Sequence, residues 1–366
     1  INYLKAWTNL AEIAGRTGVA LTVSDLTNKG HLLSGGTLGI SGTRILNNGE
    51  MNAHRISLES KTGTIHNNKI IKAATEASLS GNTITFDPNH DLEARDIILT
   101  SPNTAISLNG KVRPLSSLRV VSNKSFTHLG GNVGYFLDIR APLILKSALL
   151  FSRGLHLTQS GDFTNTHGLW GEGPLTLSIA GTFTNNANSY SSTDALRVNT
   201  RSLHNNALLG GYAPSEVVAS GAIINTKTIG GRNNLTLRGN SVENKKDAVI
   251  TSDADLAITV NTDLVNTVGT ISAGRAMSLK GKRLFNKRDG YYIKKSVWTS
   301  YVHEEKETPY SNKASSIKAQ SDISIDFSLI ESEASEIISA AGDIYLKFKT
   351  LKNSTKFLLR RMNRNK

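Results

Sequence analysis

The chain has 366 residues, with 33 Asn and 31 Gly but only 7 Pro, 6% aromatic residues and no Cys. The missing Cys excludes a disulfide framework, a thiolate metal site and a cysteine nucleophile. A hydrophobic content of 38% excludes a disordered chain, and no run of 18 apolar residues offers a membrane-crossing helix. The net charge is +13, of which residues 346–366 carry +8 without a single acid, so basicity belongs to the C-terminal end.

Residues 1–86 form the first segment, and its start is ambiguous. Leu4, Trp7, Leu10 and Ile13 fall at helix-like spacing, yet the stretch also suffices for one coil of short strands. From residue 21 a tripeptide recurs: apolar, any residue, Asn. It stands at Leu26–Asn28, Ile45–Asn47 and Ile65–Asn67, with steps of 19 and 20. Residues 87–160 stay strand-rich but lose the Asn register, and Pro88, Pro102, Pro114 and Pro142 interrupt them. They read as degenerate coils with loop insertions. Residues 161–287 restore the repeat at Asn165, Asn185, Asn205, Asn225, Asn244, Asn266 and Asn286, in steps of 20, 20, 20, 19, 22 and 20. Residues 288–312 gather Tyr291, Tyr292, Trp298, Tyr301, Tyr310 and the acids Glu304, Glu305 and Glu307, as an excursion or junction. Residues 313–348 hold a second repeat, Ile317-x-Ala319 with Asp322-Ile323-x-Ile325, recurring 21 residues on as Ile338-x-Ala340 with Asp343-Ile344-x-Leu346. Residues 349–366 form a basic tail beyond the last repeat, in which Phe357, Leu358 and Leu359 suit a short helix.

Inside each unit an apolar residue follows the Asn by four or five positions, as Leu32, Met51, Leu209 and Ile229 do. A small residue follows by six or seven, as in Ala53, Ala73, Gly211 and Gly231, and an alternating pair such as Leu235 and Leu237 comes later. The period is two throughout, which points to short strands. A unit of this length cannot bury its own apolar face, and stacking like units solves that. The expected fold is all-β: a right-handed parallel β-helix (solenoid) of about 20-residue coils, 14 to 16 of them, rising ~4.8 Å per coil to near ~70 Å. Asn suits a corner, because it tolerates the left-handed conformation and pairs with stacked copies of itself. A leucine-rich-repeat pattern fits once, at Leu115, Leu118, Val120 and Asn123, and does not recur.

The run Leu264-Val-Asn-Thr-Val-Gly-Thr-Ile-Ser-Ala-Gly-Arg-Ala-Met-Ser-Leu279 resembles the filamentous haemagglutinin repeat family. The 317–346 pair resembles the second repeat type of such exoproteins. The resemblance implies a secreted or cell-surface bacterial adhesin, exported through an outer-membrane two-partner-secretion transporter. Its partner would be a receptor or glycan on a host or neighbouring cell. The alternative within the family is the stalk of a contact-dependent inhibition protein. Neither an N-terminal secretion domain with Asn-Pro-Asn motifs nor a globular toxin after residue 350 is found, and Ile1 is not an initiator Met. These features read as a fragment or a truncated or processed product.

No residue is assigned to catalysis, a cofactor or a metal, and no enzyme is expected. The nine His residues, 31, 54, 66, 90, 128, 156, 167, 204 and 303, include no pair at helical zinc spacing. His66 and His204 precede a repeat Asn and should point outward. Gly171-Glu172-Gly173 and Gly35-Gly36 lack the strand–loop–helix context of a phosphate loop. The enzymatic rival is a β-helix polysaccharide lyase or hydrolase, for which Asp253, Asp255 and Asp263 are the nearest carboxylates. No specific nucleic-acid partner is expected, although the basic tail offers charge for one.

Overall fold

The structure is a computed structural model that describes residues 5–88, 90–108, 111–288, 292–299, 302–309, 314–333, 335–355 and 358–361. Every strand pairing is parallel except one, and no helix occurs among the described residues. The chain divides into two compact units, residues 1–181 with 191–193, and residues 182–190 with 194–366. Each is a parallel β-solenoid.

In the first unit the ambiguous start is a coil. Trp7–Asn9 pairs with Asp25–Asn28 in register, Trp7 on Leu26 and Asn9 on Asn28. Helical spacing among residues 5–20 therefore carries no helix, and Leu10 lies 74% exposed. One inward column runs through Leu38, Ile56, Ala77, Ile97, Leu118, Leu137, Leu155 and Leu175. All eight are fully buried. Residues 87–160 thus keep the apolar column after losing the Asn motif. Burying each large member is worth about 1.5–3 kcal/mol.

The corner position tells the complementary story. Asn9, Asn28, Asn47 and Asn67 form a ladder in which each Nδ2 donates to the next Oδ1 at 2.8 Å. On the next rung Phe86 replaces Asn, and the last amide turns back to the Lys69 carbonyl at 3.2 Å. Further on, His128 occupies the rung beside Leu145. Leu108 stands two residues past Ile106 as His128 stands two past Phe126, its partner. The corner remains buried, but apolar and aromatic groups fill it in place of amides.

His128 is 7% exposed, and its Nδ1 accepts the Gly130 N–H at 2.9 Å. Burial pushes its pKa below the ordinary 6.5. The unfolded ring therefore takes up a proton that the folded one resists. This stability is fully present above pH 6.5 and is lost as pH falls through the lower folded value. Melting temperature should drop between about pH 7.5 and 5, with a shallower drop in His128→Leu. His90, also buried and also pushed down by desolvation, contributes in the same direction. Parallel melting profiles for the two proteins would remove His128 from this account.

In the second unit three strands make a coil, for instance Leu235–Gly239, Ser241–Asn244 and Val249–Ser252. Each pairs with its counterpart one coil on. Leu235, Leu256, Met277 and Ile323 make one inward column. Ile229, Ile250, Ile271, Ile317 and Ile337 make another. The Asn ladder resumes through Asn185, Asn205, Asn225, Asn244, Asn266 and Asn286 at 2.8–2.9 Å.

Two departures from regularity stand in this unit. Between Met277–Lys287 and Ser316–Ala319 the chain makes an antiparallel pair, Tyr292–Thr299 with Val302–Pro309. The coil then resumes in register, Thr270 opposite Ser316. The side chains of the aromatic and acidic cluster at 291–310 lie outside the described residues. The second departure corrects the sequence reading of the C-terminal end. Thr350–Thr355 pairs with Ile323–Glu333, and Leu358–Arg361 pairs with Glu336–Ser339. Residues 358 and 359 are therefore strand and not helix, and coil stacking extends beyond Leu346. Pairing to the previous coil imposes the period of two, whether or not the repeat motif persists.

Candidate functional site

Charges paired one coil apart recur on the outer surface of each unit. Arg55 meets Glu76 at 2.6 Å, Arg238 meets Glu216 at 3.5 Å and Lys318 meets Glu336 at 3.5 Å. Such exposed pairs add little stability.

An exposed apolar patch lies in the first unit, on the sheet containing Gly131–Val133, Leu149–Phe151 and Leu169–Gly171. The period of two sends Leu149, Phe151 and Leu169 inward, so the residues between them face out. That outer column reads Asn132, Leu150, Trp170. Leu150 is 44% and Trp170 36% exposed. Beside them opens a shallow groove of about 420 Å³, walled by Leu150 and Trp170 and rimmed by Asn132, Glu172 and Ser192. Gly171 is required on its floor, because a Cβ there would collide with the Phe151 ring. The rim is held by the next turn: Ser192 Oγ donates to the Gly171 carbonyl at 3.0 Å, and the Thr193 hydroxyl donates to that of Glu172. Beyond Gly134, burial pushes the Tyr135 phenol up to about 12, so it stays neutral at ordinary pH. The groove thus combines a broad apolar wall with an amide, a carboxylate and a hydroxyl at its edge. An apolar face stands beside groups able to hydrogen-bond.

A second groove, about 410 Å³, runs along the second unit past Asn234, Asp255, Asp322 and Tyr345. Its two carboxylates cap backbone groups of the next coil. Asp255 Oδ1 accepts the Ala276 N–H at 3.2 Å, and Asp322 Oδ1 accepts that of Asp343 at 2.8 Å. Asp255 also binds Arg275 at 3.0 Å. Asp263 holds Arg283 through two bonds of 2.6 Å, which raises the guanidinium pKa further. Asp255 and Asp263 flank strand Leu256–Val260, each engaged by an arginine, while Asp253 stands two residues before Asp255.

The histidines are dispersed. His31 faces Glu50 at 3.3 Å, His66 contacts Thr85 at 2.5 Å, and His204 is exposed. Among the described residues no group of three His, Asp or Glu is arranged to hold a metal ion. Sequence reasoning missed Trp170, because it falls in the segment that keeps the repeat. The available signal was its place one residue after inward Leu169, where a strand of period two turns its side chain outward. No family model, no curated protein and no solved structure matches this chain.

Proposed function

We propose that the chain is the recognition-bearing solenoid of a secreted or surface-displayed bacterial adhesin of the haemagglutinin-repeat kind, acting by binding and not by catalysis. The observation that carries this reading is the groove at Trp170, which sets an apolar wall beside a polar rim. An indole face stacks against the C–H face of a sugar ring, while Asn132, Glu172 and Ser192 match its hydroxyls. A groove this shallow binds each ligand weakly, and many copies on one cell would gain by avidity. Export through an outer-membrane two-partner-secretion transporter follows from the same resemblance.

Trp170→Ala is the direct test. The variant should keep its melting temperature within about 2 °C, because outward side chains contribute little to folding. Its retention on immobilised saccharides, or on cells that bind the parent chain, should fall at least about tenfold, the loss of one hot-spot aromatic. Equal retention by parent and variant would remove the groove from the binding surface.

A further inference from the structure

The first unit carries a cluster of charges on a different sheet from the Trp170 groove. Asp138 lies mid-strand in Phe136–Arg140 and points outward between Arg119 on one neighbouring strand and His156 on the other. Its side chain is nevertheless only 8% exposed. Arg119 Nε donates to Oδ2 at 2.8 Å, and Arg140 donates to both oxygens at 3.3 Å. His156 Nδ1 stands 3.6 Å from Oδ1, and its Nε2 is 3.4 Å from the Thr158 hydroxyl.

Two guanidiniums against one carboxylate leave a positive charge. Asp138 is covered on both oxygens, so it acts as a fixed post for the arginines. Arg119 engages it through Nε alone, which leaves both Nη groups for another acceptor. Both arginines are half exposed. A guanidinium held in one orientation presents its fork already ordered, and forks match carboxylate and sulfate oxygens in pairs. Around the pair the surface is a flat sheet with half-exposed Phe136 and Val121 and the hydroxyls of Thr158 and Thr176.

We propose that the Arg119–Arg140 pair is an oxyanion-recognition site for an acidic saccharide, one bearing a carboxylate or a sulfate ester. The fork takes the oxyanion, and the flat floor with its hydroxyls takes the ring. Charge complementarity selects such a ligand over a neutral sugar. The site is independent of the Trp170 groove and stands or falls separately.

The test uses the full chain in titration calorimetry at about 0.15 M salt, where long-range charge is screened beyond ~8 Å. The probes are glucuronate, glucose 6-sulfate and glucose. Glucuronate or glucose 6-sulfate should bind in the millimolar range, and the tighter of the two identifies the oxyanion source. Glucose should not bind. Arg119→Lys keeps the charge but loses the fork and should weaken binding at least about tenfold. Arg16→Gln, which removes one exposed charge elsewhere in the unit, should leave binding within twofold. Trp170→Ala should also leave it intact. Binding by Arg119→Lys within twofold of the parent overturns the proposal. So does failure of both acidic sugars, or tighter binding of a single-stranded DNA oligomer.

Discussion

Leu237→Asp should leave the second unit unable to fold cooperatively. Leu237 is fully buried, stacked between Val217 and Ile258 in its column. A carboxylate there gains no partner and loses its water, and the column loses the packing of a branched side chain. The loss should exceed ~4 kcal/mol, a large share of the 5–15 kcal/mol that holds a typical domain. Because each coil contacts only its neighbours, the damage should spread along the stack. Urea unfolding followed by circular dichroism measures this. The outward neighbour is the control, since Arg238→Ala should change stability by no more than about 0.5 kcal/mol. A loss under ~1 kcal/mol for Leu237→Asp would mean that the side chain is not inward.

Asn225→Ala ranks second. The Asn225 amide donates to the Asn244 side chain at 2.8 Å and to the carbonyls of Lys227 and Val249, and it accepts from Asn205 at 2.8 Å. It is completely buried. Truncation strands the Asn244 Oδ1 acceptor and takes the amide donor from the Val249 carbonyl, while the Asn205 amide keeps the Ala207 and Thr228 carbonyls. Each orphaned group costs about 1–3 kcal/mol, so a loss of roughly 2–5 kcal/mol is expected. The urea midpoint should fall with the slope unchanged, since the exposed surface on unfolding is the same. Asn67 shows how a ladder ends without that loss: its free N–H turns to the Lys69 carbonyl. Asn205 has the same bond, to the Ala207 carbonyl at 2.8 Å, so in Asn225→Ala the loss falls on the Asn244 side of the ladder. A midpoint shift worth less than ~0.5 kcal/mol would show that the ladder is decorative.

What the sequence disclosed divides along a physical line. The 20-residue Asn register revealed the coil length, and the inward Leu, Ile and Val positions revealed the columns, because stacking repeats the same environment on every rung. Asn9 belongs to the ladder as well, although its lone Trp-Thr-Asn context at the start hid it. The motif faded where the corner was filled by other means. Phe86, Leu108, His128 and Leu145 satisfy a buried corner without an amide, so residues 87–160 look irregular in sequence while their column stays straight. The C-terminal strands were hidden for a related reason: Lys352 and Arg360 sit in positions whose strand character comes from the preceding coil. The two surface sites were the least legible. Trp170 and Leu150 lie 20 residues apart, and Arg119, Asp138 and His156 lie 19 and 18 apart. Only stacking brings such residues into contact, and outward positions carry no periodic constraint to announce them.

The excursion between Lys287 and Ser316 bears on what such a chain can carry. From Thr270 to its partner Ser316 the chain travels 46 residues where most coils use about 20, and the register resumes without a shift. The Asn266 amide still reaches the Ser316 carbonyl at 3.3 Å, across 50 positions of chain. Closing a loop twice as long costs only about 0.6 kcal/mol more. A solenoid corner is therefore a socket: any segment whose two ends emerge side by side plugs in there, and the stack above and below is indifferent to what it carries. A foreign hairpin grafted between Arg288 and Ser315 should therefore leave the inward columns in register.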